Sequence, residues 1–223
     1  MPPGRGAARA RRVALTPTLL RLLLTVALCL TAAGAHAAGG PLGIDHRLNK
    51  DDEHSVWSRG IKRGIFYGLI GGSVAGALVE GTETRFGLTL WRAAESGGLA
   101  LGGAEVLKRT FTRPRPSQGN DPDRWFERNH YQSFPSGETA LATAVVTPFI
   151  IEYARDSPGV WVLAAIPAYV GIARMKSQAH WQTDVLASLA LGAATGYFTS
   201  QRERPLTLSV MGNGVFVGLR YQW

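Results

Sequence analysis

The chain alternates between apolar stretches and short polar connections. Alanine and leucine dominate most of the apolar stretches, which favours helix over strand. These stretches cover residues 64–79, 88–106, 139–151, 157–173 and 185–201. The pattern predicts an all-α fold, a compact bundle of about five to six helices, over residues 59–202.

Glycine recurs inside the predicted helices. Each glycine costs a helix about 1 kcal/mol relative to alanine, so repeated glycines indicate close approach between helices. The glycines that carry this prediction are Gly71, Gly72 and Gly76 in the first stretch and Gly97, Gly98, Gly102 and Gly103 in the second.

The end of the chain follows a different pattern. Residues 206–211 and 215–223 are rich in β-forming residues and flank the turn sequence Gly212-Asn213-Gly214, which is typical of a β-hairpin. We therefore expect a C-terminal β-hairpin over residues 203–223. A single hairpin cannot close a membrane barrel, so we expect it to pack on the bundle.

The N-terminus has the layout of a secretory signal peptide. Several arginines precede an apolar run at residues 22–33, and Ala35-His36-Ala37 offers a small-residue cleavage site. The run is shorter than the ~20 residues that span a bilayer, which favours a signal over residues 1–37 rather than an anchor. Its removal takes five of 24 basic residues and none of 16 acids, so the net charge falls from +8 to +3. The basic character is therefore no evidence for nucleic-acid binding.

The region behind the signal divides into two parts. Residues 38–58 are polar with mixed charge and are predicted to be a leader or surface segment, while residues 59–202 form the helical domain. The uncharged helical runs of 16 or 17 residues reach only about 25 Å, slightly less than a ~30 Å hydrocarbon core. Their length favours a soluble or peripheral bundle over one that spans a membrane.

Two short segments suggest anion binding. In the first, a helix that ends near Lys108 runs into the loop Arg113-Pro114-Arg115-Pro116, which places cations at a helix end. In the second, Pro135-Ser136-Gly137 directly precedes a helix, whose free N–H groups and positive dipole end favour a phosphate. Each segment alone is also explained by ordinary helix termini, with Ser136 as a plain N-cap.

A third segment adds a nucleophile. Arg174 is followed by His180 and, four residues later, by Asp184. On one helical turn a carboxylate at this spacing would fix one imidazole nitrogen and leave the other free to attack. Together the three segments supply cations and N–H donors around an oxyanion, a nucleophile and an orienting acid, which is what phosphoryl transfer requires.

In this order and spacing, the segments resemble the type 2 phosphatidic acid phosphatase superfamily, which also contains bacterial acid phosphatases and vanadium haloperoxidases. Its pattern is K-x6-R-P, then P-S-G-H, then R-x5-H-x3-D, and the chain matches it from Lys108 to Asp184. Arg115 fits the first spacing, whereas Arg113 does not. The resemblance implies that His180 forms a phosphohistidine and that Asp184 orients it, without a metal or another cofactor. It implies phosphate binding by Lys108, Arg115, Ser136, Gly137 and Arg174.

One position departs from the family pattern. Glu138 stands where the family has the histidine that protonates the leaving oxygen. A glutamate could take this catalytic role only while it carries a proton. Alternatively, the natural leaving group needs less help from a proton donor, as a diphosphate or an anomeric phosphate would. A third alternative is a site that binds phosphate and turns over slowly.

Together with the predicted signal peptide, the resemblance implies an exported phosphatase of the periplasm or cell envelope. Its expected partner is a phosphorylated lipid, with membrane association, and the alternative is a soluble nonspecific acid phosphatase that takes small esters. A haloperoxidase would use the same pocket with vanadate, but the chain is short for that class. A further alternative is a non-catalytic phosphate-binding envelope protein, in which Glu138 marks lost chemistry.

Overall fold

The computed structural model describes residues 39–51, 56–127, 131–202, 207–211 and 214–218. The predicted signal peptide at residues 1–37 lies outside this part and stays a prediction. The helical prediction is confirmed. The α-helices of the described part are, in chain order, α1 (Arg59–Glu80), α2 (Arg85–Phe111), α3 (Gly137–Tyr153), α4 (Ala165–Lys176) and α5 (Gln182–Ser200), with short 3-10 helices at Pro116–Gln118 and Pro158–Ala164.

Helix α3 lies at the centre of the bundle. It is apolar around most of its circumference, the pattern of a helix buried on all sides. One of its faces places Leu141 and Val145 against Ala93 of α2. Another places Ala140 and Ala144 against Ala100 of α2 and the partly buried Leu191 of α5. Helix α3 is therefore held by neighbouring helices on several sides.

Glycine does allow close helix packing, but mainly at other positions than predicted. A Cβ added at Gly192 would collide with the Ala140 carbonyl, and one at Gly196 would lie 2.5 Å from Thr147 Cβ. These two glycines let α5 approach α3. Of the predicted set, Gly97 packs as expected, with an added Cβ 2.9 Å from Leu141 Cδ1. Gly76 and Gly103 also face neighbouring helices, with an added Cβ 3.1 Å from Leu90 Cδ1 and 3.5 Å from Leu191 Cδ1. The prediction was wrong for Gly71, Gly72, Gly98 and Gly102, where an added Cβ would meet open space.

The stretch predicted as one helix at residues 157–173 begins as a 3-10 helix and continues as α4. Pro158 starts it, and Gly159 and the β-branched Val160 are weak α-helix formers. Within the part of the chain that the structure describes, Pro158–Lys176 is the one helical segment whose length and apolar composition would allow it to cross a membrane.

The C-terminal region contains two short strands. Strands β1 (Thr207–Met211) and β2 (Gly214–Gly218) pair in antiparallel register, with Thr207 opposite Gly218 and Met211 opposite Gly214. The hairpin predicted over residues 203–223 lies in large part outside the described residues. Its full extent and its packing on the bundle stay predictions.

The polar N-terminal segment is more than a leader. Residues 44–51, which we call the N-terminal strap, run across the loop between α4 and α5. Gln182 exchanges hydrogen bonds with the backbone of His46, and Arg47 donates to Gln178 Oε1 at 2.8 Å. His46 is exposed, as predicted, but Asp45 is only 4% exposed. The prediction of a leader or surface segment is wrong at Asp45, because this carboxylate binds buried donors beside the site.

Candidate active site

The three predicted segments converge at the start of α3. Lys108 lies in the last turn of α2 and Arg174 in the last turn of α4, and His180 precedes α5. Arg115, Glu138 and Arg174 line a cavity of about 470 Å³. The fold thus brings the ends of separate helices to one place, although the residues span 108 to 184 in sequence.

The His180 imidazole is buried and held in one tautomer. Its Nδ1 lies 2.6 Å from the carbonyl oxygen of Ser133, which can only accept, so Nδ1 carries the proton. Its Nε2 lies 3.3 Å from Nη2 of Arg174. Because Nδ1 carries the proton, Nε2 accepts this hydrogen bond, and its lone pair faces a predicted phosphate-binding guanidinium.

The surroundings keep His180 neutral. Burial lowers the pKa of the imidazole well below 6.5, and the positive charges of Arg174 and Arg115 lower it further. A lowered pKa means that the neutral imidazole persists to a more acidic pH than an exposed histidine allows. The nucleophilic form is therefore the resting form at neutral pH.

This effect gives a testable pH dependence. We expect the His180 ring signals in a proton NMR titration to change only well below the pH at which an unperturbed histidine protonates, because the neutral ring resists protonation. A short unstructured peptide that contains one histidine serves as the reference. A His180 midpoint close to that of the peptide would contradict the account.

Asp184 does not contact His180 in the predicted way. Its Oδ2 lies 4.0 Å from Nδ1 of His180, beyond hydrogen-bonding distance. The prediction of both residues on one helical turn is wrong, because α5 begins at Gln182 and His180 lies in the preceding loop. Asp184 Oδ2 instead accepts from Ser133 Oγ at 2.5 Å and from Trp181 N at 2.9 Å. Asp184 is thus linked to the imidazole through Ser133, whose carbonyl accepts from Nδ1, and its orienting role stays a prediction.

Arg113 joins this arrangement to the N-terminal strap. Its guanidinium contacts Asp184 Oδ1 at 2.5 Å and Asp45 Oδ2 at 2.6 Å, and all three side chains are fully buried. It also stacks on Trp125, with 4.2 Å between the guanidinium carbon and the ring centroid. Asp45 further accepts from the backbone N–H of Thr183 at 2.8 Å. Arg113 is therefore structural, which agrees with Arg115 being the arginine that fits the family spacing.

The predicted phosphate-binding groups surround the start of α3. A Cβ added at Gly137 would lie 3.4 Å from Lys108 Nζ, so glycine leaves room beside the ammonium. Burial lowers the pKa of Lys108. The negative charge of Glu105 opposes this effect, and the positive charge of Arg115 adds to it. Within the described residues, the buried Nε of Arg174 has no hydrogen-bond partner. An anion in the cavity would offer these cations an acceptor.

Ser136 acts as the N-cap of α3. Its Oγ accepts from Thr139 N at 3.4 Å, and its own N–H donates to Ser188 Oγ at 2.7 Å. The side chain is fully buried. The ordinary capping role is thus present, and direct phosphate binding by Ser136 stays a prediction.

Glu138 forms an ion pair with Arg174. Its Oε1 lies 2.8 Å from Arg174 Nη1, and its side chain is 30% exposed. In this arrangement Glu138 is placed as a counter-ion in the phosphate pocket rather than as a proton donor.

The sequence analysis assigned no role to three residues that contact the predicted catalytic residues or their partners. These are Ser133, Arg113 and Asp45. The position of Ser133 directly before Phe134-Pro135 was a usable signal, because residues that flank a motif commonly orient it. Asp45 offered none, since it lies 68 residues from Arg113.

Among the described residues, no group of three or more His, Cys, Asp or Glu side chains lies close enough to hold a metal ion. Metal independence stays a prediction, to be tested with a chelator.

Comparison with known proteins identifies the family. The family model described as the PAP2 superfamily matches residues 89–207, which is more than half of the chain. The chain therefore belongs to the PAP2 superfamily, and the resemblance drawn from the three motifs is confirmed.

The similar proteins include one curated relative and two solved structures. The lipid A 1-phosphatase of Porphyromonas gingivalis is 36% identical over 104 residues, or 44% of this chain and 21% of the relative, so the chain spans about a fifth of that protein's length. LpxE of Aquifex aeolicus has 20% identity over 67% of this chain and 98% of its own, with a TM-score of 0.41. A transmembrane PAP2-type phosphatidylglycerolphosphate phosphatase from Bacillus subtilis has 16% identity over 81% of this chain and 92% of its own, with a TM-score of 0.39.

Proposed function

We propose that this chain is a phosphatase that hydrolyses a phosphomonoester or diphosphate, carried by a lipid, through a phosphohistidine at His180. The observation that carries the proposal is a neutral, buried His180 whose Nε2 lies 3.3 Å from Nη2 of Arg174, a residue that lines the same cavity as Arg115. Family membership adds support, since the PAP2 model spans all of the residues involved.

In this mechanism the cations bind the phosphate and the imidazole attacks it. Lys108, Arg115 and Arg174, with the N–H groups at the start of α3, neutralise the oxyanion charge as it grows in the transition state. His180 Nε2 displaces the leaving oxygen from phosphorus, while Ser133 accepts the hydrogen bond from Nδ1–H and stabilises the positive charge that the ring acquires. Water then hydrolyses the phosphohistidine and releases inorganic phosphate.

A lipid substrate fits the surface of the bundle. Large apolar side chains are exposed on several helices, which favours contact with a membrane or a lipid. Val79 of α1 is 84% exposed, and Val162 of the 3-10 helix that leads into α4 is 72% exposed. The matched relative is itself called a lipid A 1-phosphatase. We place the protein in the periplasm or at the periplasmic face of an envelope membrane, with residues 1–37 as its export signal.

The Glu138–Arg174 pair restricts the substrate. A paired carboxylate does not protonate a leaving alkoxide, so the favoured substrates are those whose leaving group departs as a stable anion. A diphosphate or an anomeric phosphate has this property, whereas a simple alkyl phosphate loses the help of a general acid, typically worth about 10² to 10⁴ in rate.

Replacing Glu138 tests this restriction. Glu138→His is expected to raise hydrolysis of an alkyl phosphate by about tenfold or more, because it supplies a leaving-group acid, and to change diphosphate hydrolysis much less. The ratio of kcat/KM for the two substrates is the measurement, with Glu138→Gln as the matched control that removes charge without adding an acid. Loss of alkyl phosphate hydrolysis in Glu138→His would contradict the placement of Glu138 at the leaving-group position.

The function itself is tested by phosphate release from purified protein in the presence of a chelator. Phosphatidate, a polyprenyl diphosphate and a small chromogenic ester are the substrates. The diphosphate is expected to release phosphate fastest, because it combines a lipid with a leaving group that departs as a stable anion. Release from the small ester alone would favour the soluble nonspecific phosphatase. No release from any substrate by folded protein would favour the non-catalytic phosphate-binding protein.

A further inference from the structure

The cavity has a second set of cationic side chains. Beyond the arginines of the proposed phosphate site, it is lined by the first turns of α1. These turns present Arg59, Lys62 and Arg63, which lie at i, i+3 and i+4 and so share one helix face. Among the described residues, the lining holds five cationic side chains and one acidic side chain. None of the three α1 cations belongs to the family motifs.

The α1 cations are firmly placed. Lys62 is only 5% exposed, unusual for a lysine, while Arg59 and Arg63 are exposed at the rim. Phe66 lies on the same face, one turn after Lys62 and two turns after Arg59. It packs against the core cluster of Ala93, Leu141 and Val145. This contact fixes the rotation of α1 about its axis and thereby turns the basic face towards the cavity.

The size of the cavity also exceeds a single phosphate. About 470 Å³ lies within the range of pockets that bind whole small-molecule ligands, roughly 300 to 1,000 Å³. Arg115, Glu138 and Arg174 line the cavity together with the α1 cations and the exposed Tyr67. A ligand that fills this space carries groups well beyond the phosphorus that His180 attacks.

We propose that Arg59, Lys62 and Arg63 form a second anion-binding subsite, which takes a second acidic group, a phosphate or a carboxylate, carried on the headgroup of the substrate. The inference rests on the proposed function and deepens it. It assigns the protein a preference for headgroups with two separated acidic groups, one cleaved at His180 and one bound by α1.

A matched pair of water-soluble substrates tests the subsite: an alkyl monophosphate and the alkane bisphosphate of the same chain length, in a series of lengths. Wild-type protein is expected to prefer the bisphosphate in kcat/KM by about tenfold at one length, beyond the twofold advantage of its two equivalent phosphates. Soluble substrates separate this preference from attraction to an anionic membrane. A preference that appears only when anionic vesicles are added would overturn the proposal in favour of a membrane-binding face.

The variants use the exposed members of the set, because the buried Lys62 is a risk to folding. Arg59→Gln combined with Arg63→Gln is expected to remove most of the bisphosphate preference through KM and to leave monophosphate hydrolysis within about twofold. Arg155→Gln is the matched control. It removes an exposed arginine just beyond the far end of α3, about 25 Å from Gly137 by helix length. An unchanged preference in the double variant would overturn the subsite.

A binding measurement keeps the subsite separate from catalysis. Calorimetric titration of the alkane bisphosphate into His180→Ala reports affinity without turnover, and the same titration with Arg59→Gln and Arg63→Gln added is expected to show about tenfold weaker binding. If the wild type hydrolyses nothing but this difference is present, the proposed function fails and the subsite stands. If hydrolysis is present but the affinities are equal, the subsite fails and the function stands.

Discussion

Replacing Arg113 with alanine is expected to destabilise the protein by about 3–5 kcal/mol, the usual cost of breaking a buried ion pair by removing one partner. The change leaves Asp45 and Asp184 buried without their shared cation, and both carboxylates are fully buried. Chemical denaturation of Arg113→Ala beside wild type measures the loss in free energy of unfolding. An unfolding curve that coincides with that of wild type would contradict the structural role.

Arg115 is the matched control, two residues away in the same Arg-Pro-Arg-Pro sequence. Its side chain lines the cavity and is partly exposed, so Arg115→Ala is expected to change the free energy of unfolding by less than about 1 kcal/mol. It should instead weaken phosphate release, because a cation of the proposed phosphate site is lost. If Arg113→Ala fails to fold, Asp45→Asn is a milder test of the same buried ion pairs, since the contact between Arg113 and Asp184 remains.

The second large effect is expected at His180. His180→Ala should lower phosphate release by about 10⁴-fold or more, because removal of a nucleophile leaves only binding and electrostatic stabilisation. Steady-state release from the best substrate of the wild type is the measurement. Arg155→Gln serves as the control and is expected to keep full activity. Release by folded His180→Ala within tenfold of wild type would remove His180 from the mechanism.

The helices were predictable because their signal is local. Each apolar stretch indicated its own helix, and five such stretches appear as α1 to α5, the fourth with a 3-10 start. The glycine contacts were harder, because which face of a helix meets a neighbour depends on the whole bundle. Gly192 and Gly196 turned out to carry the closest approach, while Gly71 and Gly72 have open space beside them.

The site was predictable as a set of residues but not as a set of contacts. Fixed spacings pointed to Lys108, Arg115, Arg174 and His180, and the fold brings their segments together. The partner of His180 Nδ1 was not predictable, because it is a backbone carbonyl, which leaves no mark in a residue pattern.

The buried ion pairs that support the site could not be predicted from the sequence either. Asp45, Arg113 and Asp184 are separated by 68 and 71 residues, and nothing in the spacing links them. Asp45 also lies before residue 89, where the match to the PAP2 superfamily begins. The N-terminal strap is therefore a part of the site's support that only the three-dimensional arrangement reveals.

The most direct test of the central claim is to trap the phosphoenzyme. Protein mixed with phosphorus-labelled substrate is quenched within one turnover in alkaline denaturant, and the label is mapped by peptide mass spectrometry. The account predicts label on His180 of the wild type, stable in alkali and lost in mild acid, and none in His180→Ala. Label on another residue, or rapid phosphate release with no labelled protein at any time, would contradict it.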